Sequence, residues 1–278
     1  MISGSAEWCF RRLTGVIDLA GGKAVHAVAG ERAGYQPVPS CGGDPIKLIR
    51  QYRQLGISSF YIADLDAICG QALQATLLDE MAAEMGSEVL VDLGWSGTEL
   101  EPVVQAISML VESHPCLGII AATETADSPA ALNRLAECIA VTRICLGLDF
   151  REGQLVVSPS LKGRKIDFNG QAGDALDRVP ADHAIGLTQG YGEFCTNPVS
   201  WVEHANSLGI RRMLVLDIAA VGKRVGTMTA RVCCNIKQAN PEFSIWSGGG
   251  IRNAADANQL ILQGCDRCLV ATALQGLL

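Results

Sequence analysis

No Lys/Arg-rich run occurs in these 278 residues, and acidic side chains outnumber basic ones 29 to 22, for a net charge of −7. Electrostatic capture of nucleic acid or of an anionic lipid surface therefore has nothing to rest on, and any anionic ligand must be held by local groups. Apolar stretches of 18 residues without a charge are missing as well, so no membrane partner is expected. The opening MISGSAEWCFRRL lacks an apolar core of secretory length, and a cytoplasmic protein with reduced thiols is expected. Histidine is scarce: His26, His114, His183 and His204 are scattered without ligand spacing, so no metal and no cofactor are expected. Neither GxGxxG nor GxxxxGK(S/T) occurs, which removes the common nucleotide-binding loops.

Cysteine, by contrast, is plentiful. Eleven is an odd number, and Cys116, Cys145 and Cys268 sit inside apolar runs, the placement of small hydrophobes rather than of a disulfide framework. Cys265 and Cys268 have redox spacing, but they lead into a strand and no second pair accompanies them, so packing is the expected role.

Eight apolar runs read as strands: 15–19, 60–65, 88–94, 116–122, 144–150, 212–218, 243–249 and 267–273. Most are continuous rather than alternating, as in parallel strands covered on both faces. Segments of helical length lie between them at 44–56, 71–85, 98–112, 128–140, 197–208, 228–239 and 252–264. Asp44, Ser128 and Asn197, each followed by proline, mark helix starts. Such βα alternation is an α/β signature.

The chain also repeats itself. LGISSFYIADLD (55–66) and LGIRRMLVLDIA (208–219) place Asp64 and Asp217 eight residues after a glycine in each copy. GVIDL pairs with LGLDF, VLVDLGWSG with SIWSGGGIR, and IIAATETA with CLVATALQ. Two four-strand halves, about 14–142 and 143–278, predict a single TIM-type (β/α)8 barrel with a two-fold internal half-barrel repeat, preceded by an extension over 1–13. The segment near 151–196 absorbs the length difference. Little chain follows the last strand, so the eighth helix is truncated. The N-terminal EWCFRRL segment or a second copy of the chain is expected to cover the face this leaves open.

In such a barrel the loops after the strand C-terminal ends build the site. Asp18 and Asp149 end strands 1 and 5, opposite one another, and a facing carboxyl pair suits an aldose-to-ketose isomerisation in which one group donates and the other removes a proton. The residues alone leave open which is acid and which is base. SGGGIRN, with Gly248, Gly249 and Gly250, reads as a phosphate cradle before a helix, and Ala271 and Thr272 after strand 8 leave room beside it. Asp64, Asp217 and the loop lysine Lys23 are further candidates for substrate contact. At the first-half counterpart DLGWSGT, Asp92 would repel a dianion and Trp95 would fill its space, so a ligand with one phosphate, or with an aromatic or neutral second end, is expected.

The set IDLAGGKAV, DPIKLIRQYRQLGISSFYIADLDA, LGLDFREGQLV, LDIAAVGKRVG and SGGGIRNAADANQLILQGCDRCLVATAL resembles the HisA/HisF family of histidine biosynthesis over nearly the whole chain. The resemblance implies a cofactor-free Amadori rearrangement of a phosphorylated sugar amine. Asp18 would be general base and Asp149 general acid, with Gly248, Gly249, Gly250, Ala271 and Thr272 around one phosphate. The chain departs from the family's pattern at 92–97 and at AATET after strand 4. The stretches 27–38 and 61–70 are similar to a divergent HisA-like subgroup linked to methanopterin-dependent one-carbon metabolism. A barrel that binds a phosphorylated metabolite without isomerising it is the alternative.

Overall fold

The computed structural model describes residues 7–85, 87–159, 197–223 and 225–278; His183, Cys195 and most of the variable segment lie outside the described residues. The eight barrel strands are β1 (Leu13–Ala20), β2 (Ser59–Asp64), β3 (Val89–Asp92), β4 (Leu117–Ala122), β5 (Ile144–Arg151), β6 (Arg212–Asp217), β7 (Ser244–Gly248) and β8 (Arg267–Val270). Each pairs in parallel with its sequence neighbour, and β8 returns to β1 with Gly15 opposite Val270, closing the sheet into a (β/α)8 barrel.

Continuous apolar runs suit this closure because both faces of every strand are covered. In β2 to β4 every residue is buried. Alternate side chains diverge: Tyr61, Leu90, Ile120, Cys145, Leu214 and Trp246 form one cluster within the barrel. Their neighbours Ile62, Val89, Val91, Ile119, Leu146 and Met213 belong to the larger core under the helices. Glu88, the residue before β3, pairs with Arg212 at 3.5 Å and Arg267 at 3.1 Å, and the Arg267 guanidinium lies over the Trp246 ring. These residues stand at the strands' N-terminal ends, away from the mouth.

The main helices are α1 (Pro45–Gln54), α2 (Ala75–Met85), α3 (Glu101–Ser113), α4 (Ala130–Cys138), α5 (Pro198–Ser207), α6 (Ala230–Ala239) and α7 (Ala254–Leu262), followed by the four-residue α8 (Thr272–Gln275). Asp44 and Asn197 cap α1 and α5 by accepting from the Lys47 and Val199 N–H groups, each at 3.0 Å, with proline at the first helical position. Ser128 does not act this way: Pro129 occupies the cap of α4 and no side chain bonds there. The repeat extends to these helix ends, where the Ile57 N–H donates to Tyr52 O and the Ile210 N–H to Ala205 O.

With the eighth helix reduced to one turn, Trp8 and Phe10 pack against the outer core, and Arg267 Nη1 donates to Arg11 O at 3.0 Å. The ten described cysteines are free thiols, with Cys41, Cys145, Cys233, Cys265 and Cys268 buried. Among the described residues no helix is long and apolar enough to cross a membrane.

Candidate active site

The strand C-terminal ends open into a mouth cavity of about 980 Å³, counting space open to solvent. Asp18 of β1 and Asp149 of β5 both line it. Neither position is accidental. In a barrel strand the side chains alternate between the interior and the helices, and both carboxyls fall on interior positions at the last pair but one of their ladders, with Asp18 opposite Ala63 and Asp149 opposite Leu216.

Burial sets their chemistry. Asp149 is 5% exposed, and its backbone N–H is fixed by Thr123 Oγ1 at 3.2 Å. Its Oδ2 has no hydrogen-bond partner among the described residues. Desolvation first, then the nearby Glu124 and Asp92 carboxylates, push its pKa well above the usual carboxylate range. Desolvation also raises Asp18, to about 7. Two facing carboxyls thus prefer the neutral form to different degrees, which is what lets one give and one take a proton near neutral pH.

The second half of the barrel supplies the cradle. Gly249, Gly250, Ala271 and Thr272 line the cavity together with Lys223. Among the described residues nothing accepts from the N–H groups of Gly249, Gly250 and Ile251, while the next N–H, Arg252, is taken by Asp256 Oδ2 at 2.9 Å. Gly250 has φ +76°, and a Cβ there would collide with the Gly226 carbonyl, whose own N–H braces Gly250 O at 2.9 Å. Small residues, donors without an acceptor among the described residues and a lysine are the groups with which this end could hold an anion. Gly248, the remaining member of the expected set, lies within β7 and does not line the cavity; its glycine is needed for packing on Leu269. The Thr272 hydroxyl is held by His26 Nε2 at 3.3 Å.

Three other expectations need correction. Asp64 and Asp217 do not line the cavity. Asp64 accepts from the Ala67 N–H, the Gln74 N–H and Gln74 Nε2 at 2.8 to 3.2 Å. Asp217 accepts from Ala219 and Gly153 N–H groups at 3.0 and 3.3 Å. Both carboxylates satisfy loop donors at the rim instead of lining the cavity. Lys23 is exposed and outside the cavity because Lys23–His26 runs back antiparallel to β1. Trp95 does not occupy the mouth either. Its ring is 2% exposed within the outer core, where Nε1 donates to Ala131 O at 2.9 Å.

The first half is occupied by carboxylates instead. Asp92, 8% exposed, lines the cavity and takes the Gly94 N–H at 3.0 Å. Desolvation, the largest effect, raises its pKa to about 7. Glu99 accepts from the N–H groups of Ser96 and Gly97, the latter at 3.0 Å. Glu124, after β4, reaches the cavity beside Arg32 at 3.4 Å. Composition and spacing did not single out Glu124, Arg32, Tyr35 or Tyr61 as cavity residues; AATET as a departure from the family's pattern was the available signal for the first.

A model for a histidine biosynthesis protein family matches residues 12–184 and 175–276. An imidazole-4-carboxamide isomerase of Methanosphaerula palustris, whose full name specifies two 5-phosphoribosyl groups, is 24% identical over 261 residues, covering 94% of this chain and 90% of that protein. The isomerase of the same name from Haloquadratum walsbyi is 26% identical over 262 residues, covering 93% and 88%. An uncharacterized protein of Methanocaldococcus jannaschii is 24% identical over 263 residues, covering 93% and 91%.

Proposed function

This chain belongs to the histidine biosynthesis protein family, and from that premise we propose that it is an isomerase carrying out an Amadori-type aldose-to-ketose rearrangement on a phosphorylated sugar amine. The observation that carries the reading is the meeting of Asp18 and Asp149 in one cavity, from equivalent strands of the two halves, beside the glycine cradle. The phosphate rests against the Gly249 to Ile251 N–H groups, with Lys223 within the same wall.

Asp149, the more strongly raised carboxyl, is neutral in the resting site and acts as the acid, protonating the ring oxygen so that the C1–O bond breaks and an iminium forms at C1. Asp18, raised only to about 7, supplies the carboxylate that removes the C2 proton from the iminium, whose electron pair moves to form the neutral enaminol; a proton is then added at C1 while the O2–H proton passes to the Asp149 carboxylate, which gives the aminoketose and restores Asp149 to its acid form. Atoms and charge balance, and the site residues suffice without a cofactor.

An N-substituted 5-phosphoribosylamine in D2O tests this: NMR is expected to detect one solvent deuteron at C1 of a ketose product, and Asp18→Asn is expected to abolish it. A wild-type chain that binds the compound but forms no ketose would favour the metabolite-binding alternative. The activity is expected to rise with pH through about 7, as Asp18 ionises, and to fall again at higher pH as Asp149 loses its proton.

A further inference from the structure

One imidazole is wired to the cradle from outside the carboxyl pair. His26 ends the short strand that runs back along β1, lies opposite Gln36 and is half-buried. Its ring spans the single turn of α8: Nδ1 is 3.1 Å from Gln275 Oε1, and Nε2 is 3.3 Å from Thr272 Oγ1. His26, Thr272, Gln275 and Asp18 line a small cavity beside the mouth, and Thr272 and Asp18 line the mouth as well.

These partners fix where the ring carries its proton. The Tyr52 hydroxyl of α1 donates to Val16 O at 3.4 Å, so the Gln275 amide meets it through its N–H and keeps Oε1, a pure acceptor, toward His26. Nδ1 therefore holds the proton of the neutral ring, which leaves Nε2 to accept from the Thr272 hydroxyl. While that single O–H points at Nε2, Thr272 presents only lone pairs to an anion in the mouth. Protonation of Nε2 reverses the bond: the imidazolium donates to Thr272 Oγ1, and Thr272 keeps its own proton and can turn it toward the cavity. A phosphate dianion favours both the additional donor and the added positive charge.

We infer that His26 is a positioning residue for the cradle, which takes a proton from solvent when the anion binds and so aims the Thr272 O–H at it. This rests on the phosphate end assigned above. The ionisable neighbour that lines the small cavity with His26 is Asp18 of β1; α1 presents Tyr52 behind Gln275, and Gln36 across the strand pair is neutral.

Nitrogen-15 NMR of the intact protein tests it, with the ring signals of His26 assigned by their loss in His26→Gln and followed against pH with and without saturating inorganic phosphate. Near pH 8, about a unit and a half above the ordinary histidine midpoint, the free protein is expected to show the Nδ1–H tautomer. Phosphate is expected to raise the proton affinity of His26 about tenfold. Thr272→Val is expected to cut that rise to about threefold or less while phosphate still binds, and Asp18→Asn, which removes the carboxyl that would favour the same protonation, is expected to leave it in place. An Nε2–H tautomer, a proton affinity unmoved by phosphate, a rise undiminished in Thr272→Val or one lost in Asp18→Asn overturns the role of His26 and leaves the phosphate end standing. Failure of the wild-type chain to bind inorganic phosphate overturns the phosphate end and the proposed function together. Circular dichroism on each variant separates a lost response from lost folding, and the tautomer and the phosphate response of the wild-type chain need no variant beyond the one used for assignment.

Discussion

The two halves of this barrel share a scaffold and differ in what they do with the same backbone donors. After β7 the N–H groups of Gly249 to Ile251 meet no acceptor among the described residues; after β3 the equivalent turn gives its donors to Asp92 and Glu99. A positive-φ glycine stands at the same place in both turns, at Gly94 and Gly249, so the two differ in what their donors meet rather than in that backbone feature. Two side chains within reach of the turn are enough to convert an anion cradle into a self-satisfied loop, because a carboxylate presents to backbone N–H groups much the same acceptor geometry as a phosphate. The relatives named for two phosphoribosyl groups therefore share this chain's architecture without fixing its ligand.

The sharpest test of the comparison is at the one feature the halves supply jointly. Asp18→Asn and Asp149→Asn are each expected to lower turnover by about 10³-fold while monophosphate binding persists, since the loss is of proton transfer and not of the anchor. Steady-state kinetics paired with calorimetry reads both; unchanged turnover in both variants would falsify the paired-carboxyl mechanism.

Gly250→Ala and Gly94→Ala come next and should part company. Each forces a Cβ into a left-handed turn, against the Gly226 carbonyl in one case and 2.7 Å from Ile68 Cα in the other, so each should cost about 1–3 kcal/mol in denaturant unfolding. Only Gly250→Ala should also weaken inorganic phosphate binding, by about tenfold or more. Equal weakening in both would erase the functional asymmetry.

Asp92→Asn probes the carboxyl that distinguishes the first half. Its folded pKa, about 7, lies above the ordinary 3.8. The folded state therefore holds the proton more tightly, and ionisation subtracts stability progressively between about pH 4 and pH 7, with no further change above. The amide should melt like the wild type near pH 4 and be more stable by up to about 4 kcal/mol at pH 8. A substitution effect independent of pH would show that Asp92 is not held neutral by burial. The smallest effect is expected of Glu99→Ala, which frees two part-buried loop N–H groups; loss of this cap should cost about 1 kcal/mol and leave phosphate affinity at the other half unchanged.

Reading the chain from its residues succeeded where short-range pattern carries the physics. Continuous apolar runs such as IIAA in β4 are buried on both faces, and Asp44 and Asn197 before proline do cap helices. The LGI repeat, read for two equivalent halves, also carries matched helix ends, at Ile57 N–H to Tyr52 O and Ile210 N–H to Ala205 O. It misled where a carboxylate at a strand end had a choice. Asp18 and Asp149 line the cavity, but Asp64 and Asp217, at comparable strand ends, turn to loop N–H groups two to ten residues away, or, for Gly153, far along the chain. Lys23 followed a hairpin that spacing alone did not predict, and Trp95 found Ala131 O on a helix remote in sequence.

Composition, periodicity and the internal repeat were sufficient to determine a closed eight-stranded barrel and the rim on which its chemistry sits, because burial of both strand faces leaves few other arrangements for such runs. Which rim carboxyls face the cavity, how strongly each holds its proton, and which half keeps its backbone donors free were decided only by tertiary contacts, since each depends on whether a particular N–H lies within about 3 Å once the barrel has closed.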